Sequence, residues 1–258
     1  MKKFFKTIGW ALSWPFVAIA LGFNLLSVYS KARKFKKNPK DLFLEERLKS
    51  VYKLCRKVVY LKRLEIVAED FDKIPEKPLL ILPNHKSDLD IVAIYIAIYE
   101  SGHMGLTTFV AKAELYKIKP VRRVMELLAG IFMQRDNGRS VYEAYLAQNQ
   151  RIKDGYSIIV FPEGTRIKSD DFGEFKPTVL KVAMENYIAI EPVAIYGTID
   201  VKPKDKTGKH KIYLKALKPV QPNKYINTKQ EYLMSTIQND VKQVYDELKA
   251  KASLQDKK

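Results

Sequence analysis

The sequence predicts an α/β fold, with a mostly parallel central sheet covered by helices, because short apolar runs alternate with helix-like segments along most of the chain. The strand candidates are residues 63–69, 79–82, 107–111, 131–134, 158–161, 190–196 and 210–220. The helix candidates are residues 41–62, 90–100, 114–128, 139–153, 178–186 and 229–251. A second observation is an apolar segment at residues 8–30, before this alternation begins, and it predicts a further helix outside the sheet.

The N-terminal segment has the length and composition of a membrane-associated helix. Residues 8–30 lack charged side chains, and lysines and arginines flank both ends. A helix of about 20 residues reaches across a hydrocarbon core, but Pro15 and Asn24 interrupt the segment and the basic flanks leave its orientation undefined. Three interpretations stay open: a monotopic anchor in one leaflet, a spanning helix, and a signal peptide cleaved near Ala-Ile-Ala at residues 18–20. We predict a membrane-associated helical region at residues 1–60 and an α/β domain at residues 61–258.

The spacing of apolar residues supports the remaining elements in chain order. Residues 41–62 carry apolar side chains at helical spacing, and residues 63–69 alternate in character as a half-buried strand does. The segments between residues 79 and 196 then alternate between short apolar runs and longer amphipathic stretches, which is typical of strands joined by helices. The closing helix has one apolar stripe, formed by Leu233, Ile237, Val241, Val244 and Leu248.

The net charge of +17 is concentrated at the two ends of the chain. Residues 1–40 contain nine Lys and Arg and no acidic residue, and residues 201–258 contain fourteen Lys and six Asp and Glu, so residues 41–200 are neutral overall. This distribution favours attachment to an anionic membrane surface over a nucleic-acid groove through the fold. Zinc-finger spacing and RNA-binding aromatic signatures are also missing from the sequence, and we therefore expect no nucleic-acid partner.

Cysteine and histidine usage excludes two further classes of protein. Cys55 is the only cysteine, so the chain cannot form an internal disulfide, and a reducing compartment is expected. The three histidines lie far apart in the sequence, which argues against a multi-histidine metal site. We expect neither a metal ion nor a cofactor.

The first candidate site is residues 83–90, Pro-Asn-His-Lys-Ser-Asp-Leu-Asp, which follow a predicted strand and enter a predicted helix. A histidine beside a carboxylate is the usual general-base pair, because the carboxylate fixes the imidazole tautomer and stabilises the imidazolium. Positions five apart diverge by about 140° around a helix, so His85 can meet Asp90 only from the turn before the helix. Asp88 is the rival carboxylate. The alternative is a capped helix start, with Ser87 or Asp88 as the cap and His85 as a bystander.

The second candidate site is residues 160–166, Val-Phe-Pro-Glu-Gly-Thr-Arg, again after a predicted strand. Gly164 permits a ligand to approach the backbone closely, and Arg166 offers the forked donors that suit a phosphate. Glu163 could orient a substrate hydroxyl or pair with Arg166. The alternative is a tight turn with a surface ion pair.

The two segments together resemble the glycerolipid acyltransferases, specifically the 1-acylglycerol-3-phosphate acyltransferases. The resemblance is carried by Asn84, His85 and Asp90 followed by residues 161–166, Phe-Pro-Glu-Gly-Thr-Arg. Three further segments are similar to blocks of that family: residues 112–115, Lys-Ala-Glu-Leu; residues 130–135, Gly-Ile-Phe-Met-Gln-Arg; and residues 190–193, Ile-Glu-Pro-Val. The resemblance covers residues 60–200. Lys86 departs from the family pattern, in which polar uncharged residues are common at that position, and so does the Ile-Lys pair at residues 167–168.

The resemblance implies transfer of a fatty acyl group from a thioester donor, acyl-CoA or acyl carrier protein, to the sn-2 hydroxyl of lysophosphatidic acid, giving phosphatidic acid. It implies that His85 is the general base and Asp90 its orienting partner, with backbone N–H groups near the histidine turn stabilising the charge on the carbonyl oxygen. The implied substrate-binding residues are Lys112, Arg135, Glu163, Gly164, Thr165 and Arg166. The enzyme would be membrane-associated, with its active site on the cytoplasmic side, and a lysophospholipid would be the acceptor.

Three other functions remain open at this point. A serine hydrolase or thioesterase would need a Gly-x-Ser-x-Gly nucleophile elbow, which is absent, although Ser87 near His85 is conceivable as a nucleophile. A lipid-binding protein without transferase activity would need only the basic ends and the apolar segment. An acyltransferase that uses glycerol-3-phosphate or another lysolipid would keep the reaction and change the acceptor.

Overall fold

The fold combines one seven-stranded sheet with eight α-helices in the part of the chain that the computed structural model describes. The described residues are 2–75, 78–102, 105–199, 201 and 209–255, with side chains from Ser13 onwards. The strands are β1 (Leu64–Glu69), β2 (Leu79–Pro83), β3 (Thr107–Lys112), β4 (Ile131–Met133), β5 (Ser157–Ile159), β6 (Ala189–Tyr196) and β7 (His210–Ala216). The helices are α1 (Lys2–Lys37), α2 (Leu44–Leu61), α3 (Leu89–Glu100), α4 (Lys119–Leu127), α5 (Gly138–Lys153), α6 (Lys181–Asn186), α7 (Pro222–Tyr225) and α8 (Gln230–Gln255).

The sheet has the strand order β1-β7-β6-β2-β5-β3-β4, and every neighbouring pair is parallel except β6 with β7. Parallel strands need a crossover, usually a helix, whereas a short connection suits antiparallel pairing. Between β6 and β7 the described residues contain no helix, in agreement with that rule. The predicted α/β class with a mostly parallel sheet is therefore confirmed.

Two apolar clusters lie on the two faces of the sheet. The first packs α1 to α4 against one face and includes Leu48, Ile81, Ile94 and Ile195. The second packs α5 to α8 against the opposite face, with Leu80, Ile190, Leu180 and Val241 among its members. Successive residues of β2 and β6 alternate between the clusters, as the two-residue period of a strand requires.

Helix α1 is longer than the apolar segment that predicts it, because the basic flanks are helical as well. Pro15 lies inside the helix without ending it. The stretch Ser13–Lys37 is apolar and long enough to cross a membrane, and little of it is buried in the protein. Val28 and Ala32 are buried, and α1 packs on α2 and α4. Among the described side chains of α1, the exposed large apolar ones are Trp14, Phe16, Ile19, Phe23 and Leu26.

Several predicted boundaries differ from those in the structure. The predicted helix at residues 114–128 divides into a 3-10 turn, Ala113–Lys117, and α4, because Pro120 suits only the first turn of a helix. The predicted helix at residues 178–186 likewise begins with a 3-10 turn, Pro177–Leu180. Strand β5 ends at Ile159, two residues early, and β7 ends at Ala216, beyond which Val220 forms an isolated bridge with Ile190.

Candidate active site

Both candidate motifs lie at one edge of the sheet. Strands β2 and β5 pair in parallel, with Leu80 opposite Ile158, so the motifs that follow them emerge side by side. Strands β3 and β4 are parallel to β5 and to each other, which places Lys112 and Arg135 at the same carboxyl edge. Ligand sites in open α/β sheets gather beyond the carboxyl ends of the strands.

Asn84 connects the turn after β2 to strand β6. This fully buried amide donates from Nδ2 to the carbonyl oxygen of Ile195 at 3.0 Å, and its Oδ1 accepts the N–H of Ile195 at 2.7 Å. A side chain that pairs with strand β6 in this way has little freedom to move. Asn84 therefore fixes the point at which the chain leaves the sheet and His85 begins.

His85 meets Asp90 across the start of α3. Helix α3 begins at Leu89, so His85 lies in the turn before it, and His85 Nδ1 is 2.9 Å from Asp90 Oδ2. Because an ionised carboxylate only accepts hydrogen bonds, a neutral His85 facing it would carry its proton on Nδ1 and its lone pair on Nε2. The contact has the arrangement required of a general base and its orienting carboxylate.

Asp90 is fully buried and holds the whole turn. Its Oδ2 also accepts the backbone N–H groups of Lys86, at 2.6 Å, and Ser87, at 2.8 Å. Asp88, the rival carboxylate, is exposed and accepts a hydrogen bond from Arg166 Nη1 at 2.6 Å. Ser87 Oγ accepts the N–H of Leu89 at 3.4 Å, a contact at the helix start. The geometry selects Asp90 over Asp88 as the partner of the histidine.

Glu163 joins the second motif to the first through backbone N–H groups. Its Oε1 accepts the N–H of His85 at 2.6 Å, and its Oε2 accepts the N–H of Gly173 at 2.9 Å. Burial raises the pKa of the Glu163 carboxyl, and the two backbone hydrogen bonds oppose that rise. The predicted ion pair between Glu163 and Arg166 is not formed, because the Glu163 carboxylate accepts backbone N–H groups and Arg166 pairs with Asp88.

Two more contacts between the motifs fix the histidine. The Phe161 ring stacks on the His85 ring, with centroids 4.0 Å apart and planes inclined by 24°. The backbone N–H of Ile167 donates to the carbonyl oxygen of His85 at 3.0 Å. Phe161 and Ile167, which follow strand β5, thus contact the ring and the backbone of His85.

Two cationic side chains lie beside Gly164, which has a φ of +70°. Arg135 Nη1 and Lys176 Cε each lie 3.6 Å from the position that a Cβ would take at residue 164. Arg135 and Lys176 are both exposed, and partial desolvation lowers the pKa of the Arg135 guanidinium. A glycine at this position leaves room between the two cations, and two cations at a sheet edge suit a phosphate.

The sequence comparisons decide the family. A family model described as "Acyltransferase" matches residues 65–196, which include both motifs and strands β2 to β6. The chain belongs to this acyltransferase family. It is 37% identical over 188 residues to a probable 1-acyl-sn-glycerol-3-phosphate acyltransferase of Mycoplasma genitalium, covering 73% of this chain and 70% of that one. It is 31% identical over 146 residues to a 1-acyl-sn-glycerol-3-phosphate acyltransferase of Borreliella burgdorferi, covering 56% of each.

A solved acyltransferase structure extends the likeness to nearly the whole chain. The crystal structure of the 1-acyl-sn-glycerophosphate (LPA) acyltransferase PlsC from Thermotoga maritima superposes with a TM-score of 0.69 at 28% identity. The match covers 96% of this chain and 98% of that one. Helices α1 and α8, which lie outside the matched family segment, are therefore largely included in the shared architecture.

The candidate site contains most of the residues predicted from the sequence, although some have partners other than those expected. Lys112 pairs with Glu114 at 3.3 Å, both half-exposed, and Thr165 is exposed beside Gly164. Lys176 is not among the residues predicted from the sequence, because it lies outside the candidate motifs and approaches Gly164 only in the folded chain. The one sequence signal for it is a lysine just before the 3-10 turn Pro177–Leu180, which follows the second candidate motif.

Glu191, from the last family-like segment, does not join this site. It lies in β6 beside Ile81 and, by strand alternation, points to the face covered by α1 to α4. It is 1% exposed, and neither carboxylate oxygen has a hydrogen-bond partner among the described residues. Burial raises the pKa of the Glu191 carboxyl to about 8. This carboxyl is therefore protonated at neutral pH, in contrast to an exposed glutamate.

Proposed function

We propose that the protein transfers a fatty acyl group from a thioester to the sn-2 hydroxyl of lysophosphatidic acid, producing phosphatidic acid. The observation that carries this proposal is the His85–Asp90 pair beside the exposed cations around Gly164, all at one edge of the sheet. A base can deprotonate the acceptor hydroxyl, and the cations can bind the acceptor phosphate. Relatives in M. genitalium and B. burgdorferi carry the corresponding names, which supports the same choice of acceptor.

The reaction follows from the free nitrogen of His85. Nε2 removes the proton of the acceptor hydroxyl as its oxygen attacks the carbonyl carbon of the thioester. The C–O ester bond forms, the C–S bond breaks, and the imidazolium returns the proton to the leaving thiolate. Asp90 stabilises the imidazolium between these steps, and no covalent acyl-enzyme forms.

The backbone of the histidine turn has little capacity to stabilise the carbonyl oxygen, contrary to expectation. Glu163 takes the N–H of His85, and Asp90 takes those of Lys86 and Ser87. These three donors hold carboxylates instead. The developing negative charge therefore requires other donors at the carboxyl edge.

The acceptor phosphate is proposed to bind between Arg135 and Lys176, with Arg166 on its other side. Arg166 already has a partner in Asp88, but both side chains are largely exposed. Exposed ion pairs contribute about 0–1 kcal/mol. A phosphate can therefore replace Asp88 at small cost and gain a forked contact with the guanidinium. Lys112, paired with exposed Glu114, is available in the same way.

The helical region at residues 1–60 is proposed to bind an anionic membrane surface and to hold the active site on the cytoplasmic side. The exposed apolar residues of α1 suit the acyl region of a leaflet, and the nine basic residues within residues 1–40 suit its headgroups. The domain at residues 61–258 then meets an acceptor that is itself a membrane lipid. Acyl-CoA and acyl carrier protein are the candidate donors.

An activity panel tests this function against its rivals. The purified protein in detergent is given acyl-CoA or acyl carrier protein thioester, with lysophosphatidic acid, glycerol-3-phosphate or no acceptor. We expect release of thiol to depend on lysophosphatidic acid and to match the phosphatidic acid formed. Thiol release of equal rate without an acceptor would identify a thioesterase, and lipid binding without thiol release would identify a non-catalytic protein.

A further inference from the structure

Lys86, next to the proposed base, is a buried lysine without a carboxylate at ion-pair distance among the described residues. Lys86 is only 2% exposed. Lysine is rarely buried without a partner, because desolvation of an ammonium is costly. Its Nζ donates to the backbone carbonyl of Asp171 and lies 4.5 Å from the ring centre of Phe172 and 5.4 Å from that of Tyr245. Its partners are thus a loop and two aromatic faces.

Two of the partners of Lys86, Asp171 and Phe172, belong to residues 169–173, which we call the tether loop, and the third, Tyr245, lies on α8. Helix α8 holds this loop from the other side. Tyr245 Oη donates to Asp170 Oδ1 at 3.0 Å, Lys249 Nζ donates to Asp170 Oδ2 at 2.7 Å, and Gln238 Nε2 donates to the carbonyl oxygen of Gly173 at 3.3 Å. The tether loop therefore lies between the C-terminal helix and the histidine turn.

The last residue of the tether loop touches the catalytic machinery. The N–H of Gly173 donates to Glu163 Oε2, and Glu163 Oε1 holds the N–H of His85. A Cβ at residue 173 would lie 3.0 Å from Glu163 Oε2, so the loop backbone approaches the carboxylate as closely as a glycine permits. Lys86 thus contacts the tether loop, the loop contacts Glu163, and Glu163 accepts the N–H of His85, the residue next to Lys86.

We propose that Lys86 is a positioning residue for acyl transfer, which fixes the tether loop so that Gly173 and Glu163 hold the backbone of His85. This inference rests on the proposed function. Burial lowers the pKa of the Lys86 ammonium, and the charges of Glu163, Asp170, Asp90 and Asp171 act in the opposite direction. The Lys86 ammonium therefore lies near carboxylates but forms no ion pair with them among the described residues. Its direct contacts are a carbonyl oxygen and an aromatic ring of the tether loop, and the ring of Tyr245.

The test compares Lys86→Met with Lys168→Met, which removes an exposed lysine from the neighbouring part of the same connection. Methionine keeps an unbranched apolar chain and removes the charge and the donor. A displacement of about 1 Å in a reacting group costs about 10²-fold. We expect kcat of Lys86→Met to fall by about that factor with the KM for lysophosphatidic acid unchanged, and Lys168→Met to match the wild type.

A double-mutant comparison separates positioning from general stability. If Lys86 acts through Glu163, Lys86→Met should lower kcat much less in a Glu163→Gln background than in the wild type. Phe172→Leu, which removes one aromatic face, should lower kcat by a smaller factor, again without a change in KM, and it decides the question if Lys86→Met does not fold. Wild-type protein without transfer activity would refute the proposed function. Active wild type with a folded Lys86→Met or Phe172→Leu variant within twofold of its kcat, or equal losses in both Glu163 backgrounds, would overturn the role of Lys86.

Discussion

Glu191→Gln should change how the stability of the protein depends on pH. Burial holds the pKa of the Glu191 carboxyl at about 8 in the folded protein, against an ordinary value of 4.5. A raised carboxyl pKa contributes stability that is fully present below pH 4.5 and is lost as the pH rises to about 8, because over that range only the folded chain retains the proton. Each pH unit costs about 1.36 kcal/mol, so the wild type loses about 4 kcal/mol between pH 5 and pH 8 through this group.

The measurement is the free energy of unfolding in urea, in one detergent, for wild type and variant at pH 5 and pH 8. Glutamine cannot ionise, and its packing cost is the same at both pH values. The stability of Glu191→Gln relative to wild type should therefore improve by about 4 kcal/mol from pH 5 to pH 8. Glu65→Gln, at an exposed position on β1, is the matched control and should show no such shift. A relative stability of Glu191→Gln that stays constant within about 1 kcal/mol would refute the inference that Glu191 is buried without a partner.

Three further predictions concern the site and the membrane. Asp90→Asn should lower kcat by about 10³-fold or more, whereas Asp88→Asn should have a small effect; kinetics showing the reverse order would reassign the orienting carboxylate. Arg135→Ala and Lys176→Ala should each raise the KM for lysophosphatidic acid about 30-fold, or about 2 kcal/mol, and a larger rise in the KM for the thioester would place the donor there instead. The last variant changes to serine the three most exposed large apolar side chains described in α1, which are Phe16, Phe23 and Leu26. It should lose binding to anionic vesicles in flotation assays, while high salt should only weaken wild-type binding; complete release of the wild type by salt alone would show that α1 is not inserted.

The sequence predicts local features of the site well. The spacing of His85 and Asp90 requires the histidine to precede the helix, and that is where the structure has it. The apolar runs before both motifs predict strands β2 and β5, whose parallel pairing then brings the motifs together. These predictions succeed because strand alternation and helical periodicity are properties of neighbouring residues.

Contacts set by packing could not be predicted in the same way. Glu163 is next to Gly164 and near Arg166 in sequence, which suggests an ion pair, but folding places it against the backbones of His85 and Gly173. The sequence marks Lys86 only as a departure from the family pattern, and its contact with Tyr245 depends on the packing of helix α8. The neighbours that decide both cases are distant in the sequence, and no local pattern identifies them.

The most direct test of the account is the conversion of lysophosphatidic acid to phosphatidic acid by His85→Ala, followed by mass spectrometry of the lipid product. His85 acts only as a base in this account, so the variant should fold, bind vesicles as the wild type does, and lose about 10²–10⁴-fold in kcat. A folded, purified His85→Ala protein that retains more than a few per cent of wild-type phosphatidic acid formation would contradict the central claim.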